Sequence, residues 1–502
     1  MSIFPLATLF SLLAHLSYAV APSTPSPIAF DPVQNITYHG TFVNGVEKFL
    51  NIPYGQDTSG DNRFANPKPF LFPSYISQYN ASTEGPACPQ APPSFSIVAF
   101  EENQSEDCLK LKVARPKGTR AGDQLPVMVW IYGGSLYIGN INDRRHEPEG
   151  LILQSIENGK PIVFVAMNYR LNIFGFAVSE ALEARKSLNV GLKDQRLALE
   201  WVQKNIKFFG GDPDRVTIFG QSSGGLSVAM QILAYGGSQH TPFHAAIMQS
   251  TALEPGSTSN RSAVTYNEVA TLAGCELGNP QSTETVACLR ALPFETLLNY
   301  TIVQYGSATS DIYLPHVDGD FLPLASSELV RQGLFPKMPV MIGWTEDDLA
   351  PFTPATIQTS VDTFDFLRLG FELDNTSTVE RILSLYPPSD FPTLPSVNLS
   401  SEFYRSARVF RDIALACPSF YFGKTMAMKY AEDDESPKVF YYIHNQTVLS
   451  GYFESLGLPA FGASHTSELP YVYTLSGVQC HRGCTPNAER YRVAEENFTV
   501  ME

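Results

Sequence analysis

The chain contains the pentapeptide Gly220-Gln221-Ser222-Ser223-Gly224, which has the pattern G-x-S-x-G. A β-branched and aromatic stretch precedes it at 216–219, and the segment 225–233 can continue as a helix. Strand, sharp turn and helix form the context of a nucleophile elbow, in which a serine projects from a strained turn. The flanking glycines would let strand and helix pass closely. The alternative is a Gly/Ser-rich turn whose serine only caps the helix.

The composition is that of a globular protein with a large core. The chain has 502 residues, of which 44% are hydrophobic and 17% are charged. Neither an internal repeat nor an inter-domain linker divides it, so we expect one large domain over residues 22–502. The net charge of −16 argues against nucleic acid or an anionic membrane surface as the partner.

The first 21 residues predict a secretory signal peptide. Residues 3–20 are mostly apolar, and Ala19-Val20-Ala21 offers small side chains at a cleavage point. A membrane anchor is the alternative, but the run is short and no stop-transfer charges follow it. We therefore predict a secreted, extracellular protein without stable insertion into a membrane.

Potential glycosylation sites agree with export. Nine N-x-S/T sequons occur along the chain, which suggests a glycosylated surface. Their asparagines are Asn35, Asn80, Asn103, Asn260, Asn299, Asn375, Asn398, Asn445 and Asn497.

The seven cysteines also fit an oxidising compartment. Two pairs lie close in sequence and would form local disulfides, Cys88 with Cys108 and Cys275 with Cys288. The remaining three are Cys417, Cys480 and Cys484. The group Cys480, His481 and Cys484 has a spacing that suggests a metal site, but no second ligand pair accompanies it, so we expect no metal.

The order of apolar segments predicts an α/β protein. Continuous apolar runs, typical of strands buried on both faces, alternate with a helical pattern at 194–209. Strands alternating with helices predict a mostly parallel sheet with right-handed crossovers. Segments 258–335 and 355–435 are interpreted as helical insertions, and 55–107 as a long irregular excursion. The predicted sheet strands are 127–132, 161–167, 216–219, 245–249, 338–343 and 439–444.

An elbow serine needs a base to remove its proton and an acid to orient that base. The expected chain order is serine, acid, histidine. Of the late histidines, His444 lies within a strand and His481 in the Cys-rich tail, whereas His465 follows the final strand in a loop. We choose His465 as the base. The spacing leaves three candidates for the acid, all just past strand 338–343: Glu346, Asp347 and Asp348.

The oxyanion that forms in acyl transfer needs preorganised N–H donors. One is the backbone N–H of Ser223, directly after the nucleophile. The others should come from the glycine break after strand 127–132, at Gly134 and Ser135. An ordinary tight turn is the alternative interpretation of that break.

Several motifs together resemble the type-B carboxylesterase/lipase family of α/β hydrolases, which includes the cholinesterases. The resemblance covers about residues 30 to 475. The motifs that carry it are Glu106-Asp107-Cys108-Leu109, Trp130-Ile131-Tyr132-Gly133-Gly134, Asn168-Tyr169-Arg170, the stretch 189–225, Val317-Asp318-Gly319 and His465-Thr466-Ser467-Glu468-Leu469-Pro470.

The resemblance implies an α/β-hydrolase fold and ester hydrolysis without a cofactor or metal. It implies Ser222 as nucleophile, Asp348 as acid and His465 as base, with Ser250 supporting the acid and the histidine. It also implies an oxyanion hole made by Gly134, Ser135 and Ser223, and the disulfides Cys88–Cys108 and Cys275–Cys288.

The chain departs from the family pattern at five positions near these groups. The replacements are Gln221 for Glu, Ser223 for Ala, Ser135 for Gly, Asp348 for Glu and Leu349 for Gly. Family members also continue well past the histidine with helices that cover the sheet. Here 37 residues follow His465, so we expect a shortened C-terminal helical region.

The sequence thus predicts a secreted, glycosylated serine carboxylesterase that acts on a small-molecule ester. The Cys88–Cys108 loop lacks the Trp with which cholinesterases bind choline, which argues against a quaternary-ammonium substrate. That loop has 19 residues between its cysteines, fewer than a full lipase lid, so an esterase with an open site is preferred. A lipase and a non-catalytic binding module of the same family are the alternatives.

Overall fold

The computed structural model describes residues 26–92, 101–253, 257–306, 311–371, 375–391, 399–455 and 461–474. The predicted signal peptide, Asn398, Asn497, Cys480, His481 and Cys484 lie outside these ranges. Within them there are twelve strands: β1 Ile28–Asp31, β2 Ile36–His39, β3 Thr41–Val43, β4 Val46–Pro53, β5 Gln78–Asn80, β6 Lys110–Pro116, β7 Leu125–Ile131, β8 Val163–Met167, β9 Gly211–Gln221, β10 Ala245–Gln249, β11 Val340–Thr345 and β12 Val439–His444.

Helices flank the sheet and fill the insertions between the later strands. The α-helices of the described residues are α1 Glu149–Glu157, α2 Asn172–Phe176, α3 Glu180–Glu183, α4 Val190–Asn205, α5 Ser223–Leu233, α6 Arg261–Leu272, α7 Thr283–Ala291, α8 Phe294–Gly306, α9 Ser326–Arg331, α10 Ser360–Gly370, α11 Thr376–Ser384, α12 Ser401–Arg411, α13 Cys417–Glu432, α14 Ser450–Ser455 and α15 Leu469–Val472. A π-helical turn, Asp412–Ala416, joins α12 to α13.

A nine-stranded sheet forms the centre of the described structure, in the order β12-β11-β10-β9-β7-β8-β6-β4-β3. The strands from β12 to β8 run parallel to their neighbours, whereas β6, β4 and β3 pair antiparallel. The predicted α/β-hydrolase architecture with a mostly parallel sheet is therefore confirmed. A separate three-stranded sheet, β1-β2-β5, ties part of the 55–107 excursion to the N-terminal strands.

Burial explains why the apolar runs became strands. Every residue of β8 is buried, and Val127, Val129 and Ile131 of β7 have no exposed surface. Parallel strands are covered by helices on both faces, so both sets of alternating side chains are apolar. Four of the six predicted strands have different boundaries in the structure. β7 spans 125–131 rather than 127–132, and β8 begins at 163 rather than 161. β9 spans 211–221 rather than 216–219, and β11 starts and ends two residues later than the predicted 338–343.

Several motif residues hold the framework together. Arg170 pairs with Asp194 at 2.7 Å, and Arg63 pairs with Glu106 at 2.6 Å, with all four side chains buried. Removing one partner of such a pair would leave an uncompensated buried charge, which is strongly destabilising.

Both predicted disulfides, Cys88–Cys108 and Cys275–Cys288, are present. Cys417 is a free, exposed cysteine. As to membranes, no described helix combines the length and the apolar character that crossing a bilayer requires.

Candidate active site

Neighbouring strands of the large sheet deliver the predicted site residues to one edge. Ile131 of β7 is in register with Gly220 of β9, and Gln221 of β9 with Gln249 of β10. The segments that follow these strands therefore start side by side. Ligand and catalytic groups in open α/β sheets collect at these carboxyl ends.

Ser222 lies at the sharp turn between β9 and α5. Its backbone is at φ 62° and ψ −128°, a strained conformation for a residue with a side chain. The turn is possible because Gly224, which has no side chain, packs directly against the C-terminal end of β7. A Cβ at Gly224 would lie 2.1 Å from the carbonyl oxygen of Ile131. The strand–turn–helix context predicted from the sequence is therefore present, with the serine at its apex.

Asp348 and His465 form a hydrogen-bonded pair although 117 residues separate them. His465 Nδ1 lies 2.5 Å from Asp348 Oδ1, and the backbone N–H of His465 donates to the carbonyl of Asp348 at 3.0 Å. Asp348 is fully buried, and its other oxygen accepts from Ser250 Oγ at 2.7 Å and from the N–H of Thr345 at 2.9 Å. The carboxylate is thus held on three sides and can orient the imidazole.

The other two candidate acids are engaged elsewhere. Asp347 accepts a hydrogen bond from the N–H of Ala463 at 3.0 Å, and Glu346 pairs with Arg408 and Arg411. Of the three carboxylates that spacing alone left open, Asp348 is the one that contacts His465. Leu349, which replaces the family's Gly, has φ −97°, a value open to any residue.

The charge environment favours protonation of His465. Burial by itself lowers the pKa of His465, but the charge and hydrogen bond of Asp348 raise it, and Glu468 and Asp311 add to that effect. The net pKa lies above the ordinary 6.5. Because Nδ1 donates to Asp348 in the neutral ring, Nε2 is left as the acceptor. This is the nitrogen that a general base needs.

In this structure Nε2 of His465 meets Gln221 instead of the serine. The side-chain nitrogen of Gln221 lies 3.2 Å from His465 Nε2. The Ser222 hydroxyl makes no hydrogen bond to any described residue, although Ser222 and His465 line the same cleft of about 210 Å³. Catalytic hydrogen bonds often tighten only when substrate is bound, so the arrangement is compatible with a serine–histidine couple.

Two of the residues predicted as oxyanion donors, Gly134 and Ser135, lie in the loop after β7. Gly134 has φ 120°, and a Cβ there would lie 2.3 Å from the carbonyl oxygen of Ile138. Ser135 and Leu136 follow in the left-handed region at φ 58° and 55°. The hydroxyl of Ser223 accepts from the N–H of Leu136 at 3.1 Å, so this replacement for Ala ties the loop to the elbow.

The backbone N–H groups of Gly134, Ser135 and Ser223 make no hydrogen bond to another described residue. Free N–H groups beside a nucleophile are what an oxyanion hole requires.

The structure brings His465 to the site and places His444 elsewhere, whereas His481 lies outside the described residues. His444 ends β12 and packs its ring against Tyr471, at 4.9 Å between centroids. Burial lowers the pKa of His444. The described residues hold no cluster of three or more metal-ligating side chains.

Two carboxyl groups near the site were not singled out from the sequence. Glu468 is buried three residues after His465, and desolvation raises its pKa to about 7. Apart from its own backbone, neither oxygen of its carboxyl group finds a hydrogen-bond partner among the described residues. Asp311 lines a small pocket beside Ser222. Glu468 belongs to the quoted His465–Pro470 motif, which could have indicated it, whereas no local pattern marks Asp311.

Comparison with known proteins identifies the family. A model described as the carboxylesterase family matches residues 34–498. The chain belongs to the carboxylesterase family. The match extends beyond residue 475, where the predicted resemblance ended, because that limit came from short motifs that stop at Pro470. The family and its relatives make this carboxylesterase a hydrolase of carboxylic esters.

Individual relatives include both enzymes and an inactive protein. A secreted lipase of Arthroderma benhamiae is 43% identical over 92% of this chain and 80% of the relative. The inactive carboxylesterase-like protein VdtD of Byssochlamys spectabilis is 39% identical over 93% of this chain and 82% of the relative. Among solved structures, Aspergillus niger EstA matches with a TM-score of 0.74 and 26% identity, over 94% of this chain and 86% of that one.

Proposed function

We propose that this carboxylesterase is a secreted serine esterase that works through Ser222, His465 and Asp348. Ser222 attacks the ester carbonyl while His465 removes its proton and then passes that proton to the leaving alcohol. Asp348 keeps the imidazole oriented throughout. Water, activated by His465, then hydrolyses the acyl-enzyme.

The observation that carries this proposal is the 2.5 Å contact between Asp348 and His465 in a cleft shared with Ser222. The fully buried carboxylate would stabilise the imidazolium that forms when the serine loses its proton. The oxyanion would be received by the N–H groups of Gly134, Ser135 and Ser223, each of which lacks another partner among the described residues.

The test is hydrolysis of p-nitrophenyl acetate by the purified protein and by Ser222→Ala. We expect Ser222→Ala to lower kcat by about 10⁴-fold or more, since removing a triad serine abolishes covalent catalysis. The matched control is Ser384→Ala, an exposed serine on α11, which should leave kcat unchanged. Equal activity of the wild type and Ser222→Ala would overturn the proposal.

A non-catalytic binding protein is the second candidate. It is favoured by the contact of Gln221 with His465 Nε2, where a serine–histidine bond would be expected, and by the relative described as inactive. A fluorophosphonate probe separates the two candidates. Covalent labelling of Ser222 in the folded wild type supports the esterase, and failure to label supports the binding protein.

A lipase is the third candidate, because relatives of this chain are described as lipases. An interfacial lipase would increase its rate sharply once a triglyceride exceeds its solubility limit. We expect the rate to follow the dissolved ester concentration without such an increase.

Export and glycosylation are part of the proposal. Relatives are described as secreted lipases, and the seven sequon asparagines within the described ranges are all exposed. Treatment of the secreted protein with an N-glycosidase should lower its apparent mass, and an unchanged mass would remove glycosylation from the proposal.

A further inference from the structure

Two cavities meet at Ser222, and their walls differ in chemistry. The larger cleft, of about 210 Å³, is lined by His465 as well as Ser222. The smaller pocket, of about 20 Å³, is lined by Ser222, Ser135, Ser223 and Asp311 together with apolar side chains, and His465 is not part of its wall. Ser135 and Ser222 line both cavities, whereas His465 lines only the larger one.

The position of His465 assigns each cavity to one half of an ester. The histidine must give its proton to the leaving alcohol, so the alcohol lies in the cavity that His465 lines. The carbonyl oxygen points to the N–H groups of the oxyanion hole. The acyl substituent must then extend toward the smaller pocket. This pocket is therefore the acyl subsite.

The size of the acyl subsite limits what it can receive. A volume of about 20 Å³ gives room for about one water-sized group. A long alkyl chain would need side-chain movement to enter. The structure therefore fits an acyl group with only one or two heavy atoms beyond the carbonyl carbon.

The wall of this subsite carries a carboxyl group. Asp311 is partly buried, and its carboxyl interacts with the hydroxyl of Ser135, which also meets Tyr305. Desolvation raises the pKa of Asp311, and the Ser135 interaction and the charges of Arg261 and His465 oppose that rise. An alkyl group placed here would remove water from the carboxyl without replacing its hydrogen bonds, which is unfavourable.

We propose that Asp311 is a specificity-determining residue that accepts a hydrogen bond from a hydroxyl on a short acyl group. Short hydroxyacyl esters are then preferred over alkanoyl esters of the same size. The inference rests on the proposed esterase function and names its substrate class.

Glycolate and propionate esters of one alcohol test this assignment, because a hydroxyl replaces a methyl group at equal chain length. The measured quantity is the ratio of kcat/KM for the p-nitrophenyl glycolate and propionate esters. Comparing the ratio between variants removes the intrinsic difference in reactivity of the two esters. We expect Asp311→Leu, which keeps the branched shape, to lower the ratio at least about tenfold. Asp311→Asn, which keeps one acceptor oxygen, should lower it by a smaller factor.

The control is Asp214→Leu, an exposed aspartate on β9, which should leave the ratio unchanged. Thermal melts establish that each variant is folded, and Asp311→Asn decides if Asp311→Leu does not fold. An unchanged ratio in folded Asp311 variants overturns the assignment. An equal loss of kcat/KM on both esters also overturns the assignment, because it would mean that Asp311 acts only through Ser135. Absence of ester hydrolysis in the wild type would instead overturn the proposed function itself.

Discussion

Replacing Gln221 with Glu should move the pH dependence of the esterase toward alkaline pH. Gln221 is buried, and its side-chain nitrogen lies 3.2 Å from His465 Nε2. A carboxylate at this position would stabilise the imidazolium and raise the pKa of His465. Because only the neutral imidazole can accept the Ser222 proton, the acid limb of the kcat/KM profile should shift to higher pH.

The size of the shift follows from the distance. Opposite charges about 4 Å apart attract by about 4 kcal/mol at an effective dielectric constant near 20. At about 1.36 kcal/mol per pKa unit, this corresponds to about 3 units as an upper value. Opposite charges in proteins commonly shift a pKa by about 1–3 units, which is the range that we expect here.

The assay is the pH profile of kcat/KM for p-nitrophenyl acetate, measured for the wild type, Gln221→Glu and Gln221→Met. The methionine variant keeps the length of the side chain but adds no charge, so its acid limb should not move to higher pH. Identical limbs for the wild type and the glutamate variant would refute the reasoning. It would mean that residue 221 does not face the catalytic nitrogen in the working enzyme.

Three further substitutions test the supports of the site. Ser250→Ala removes the 2.7 Å hydrogen bond to buried Asp348 and should lower both the unfolding free energy, by about 1–3 kcal/mol, and kcat. Gly224→Ala places a Cβ 2.1 Å from a backbone oxygen and should abolish activity, whereas Gly451→Ala, with open space, should not. Glu468 has a pKa of about 7 against an ordinary 4.5, so its contribution to stability is complete below pH 4.5 and is lost as the pH rises through 7. Glu468→Gln should therefore reduce the loss of unfolding free energy between pH 5 and pH 8 by up to about 3 kcal/mol, measured by chemical denaturation. An equal pH dependence in the wild type and Glu468→Gln would contradict this estimate.

Local patterns predicted the sheet and the elbow because their signal is contained in a few neighbouring residues. Strands buried on both faces must be apolar throughout, and the turn at Ser222 needs glycine where β7 crosses Gly224. Element boundaries were less well predicted. β9 extends back to Gly211 because pairing with β7 includes a register shift between Leu125 and Val127 that no local pattern reveals.

The choice of acid shows where local information ended. Glu346, Asp347 and Asp348 are adjacent in sequence, and the family resemblance alone singled out Asp348. Their different roles come from partners far along the chain, arginines of α12 for the first, Ala463 for the second and His465 for the third. Which carboxylate meets His465 depends on the direction in which the loop after β11 points each side chain. The spacing of residues in the sequence does not specify that direction.

The sequence by itself determined the fold class and the strand–turn–helix at Ser222, and it predicted the order of serine, acid and histidine, since these depend on hydrophobic pattern and motif. Only the tertiary structure decided that Gln221 contacts His465, that Ser223 is bonded to the loop after β7 and that Asp311 lines a pocket beside Ser222. Each of these contacts joins groups brought together by packing of distant segments. The geometry of each contact depends on backbone positions to within a few ångströms. The order of residues does not specify these positions.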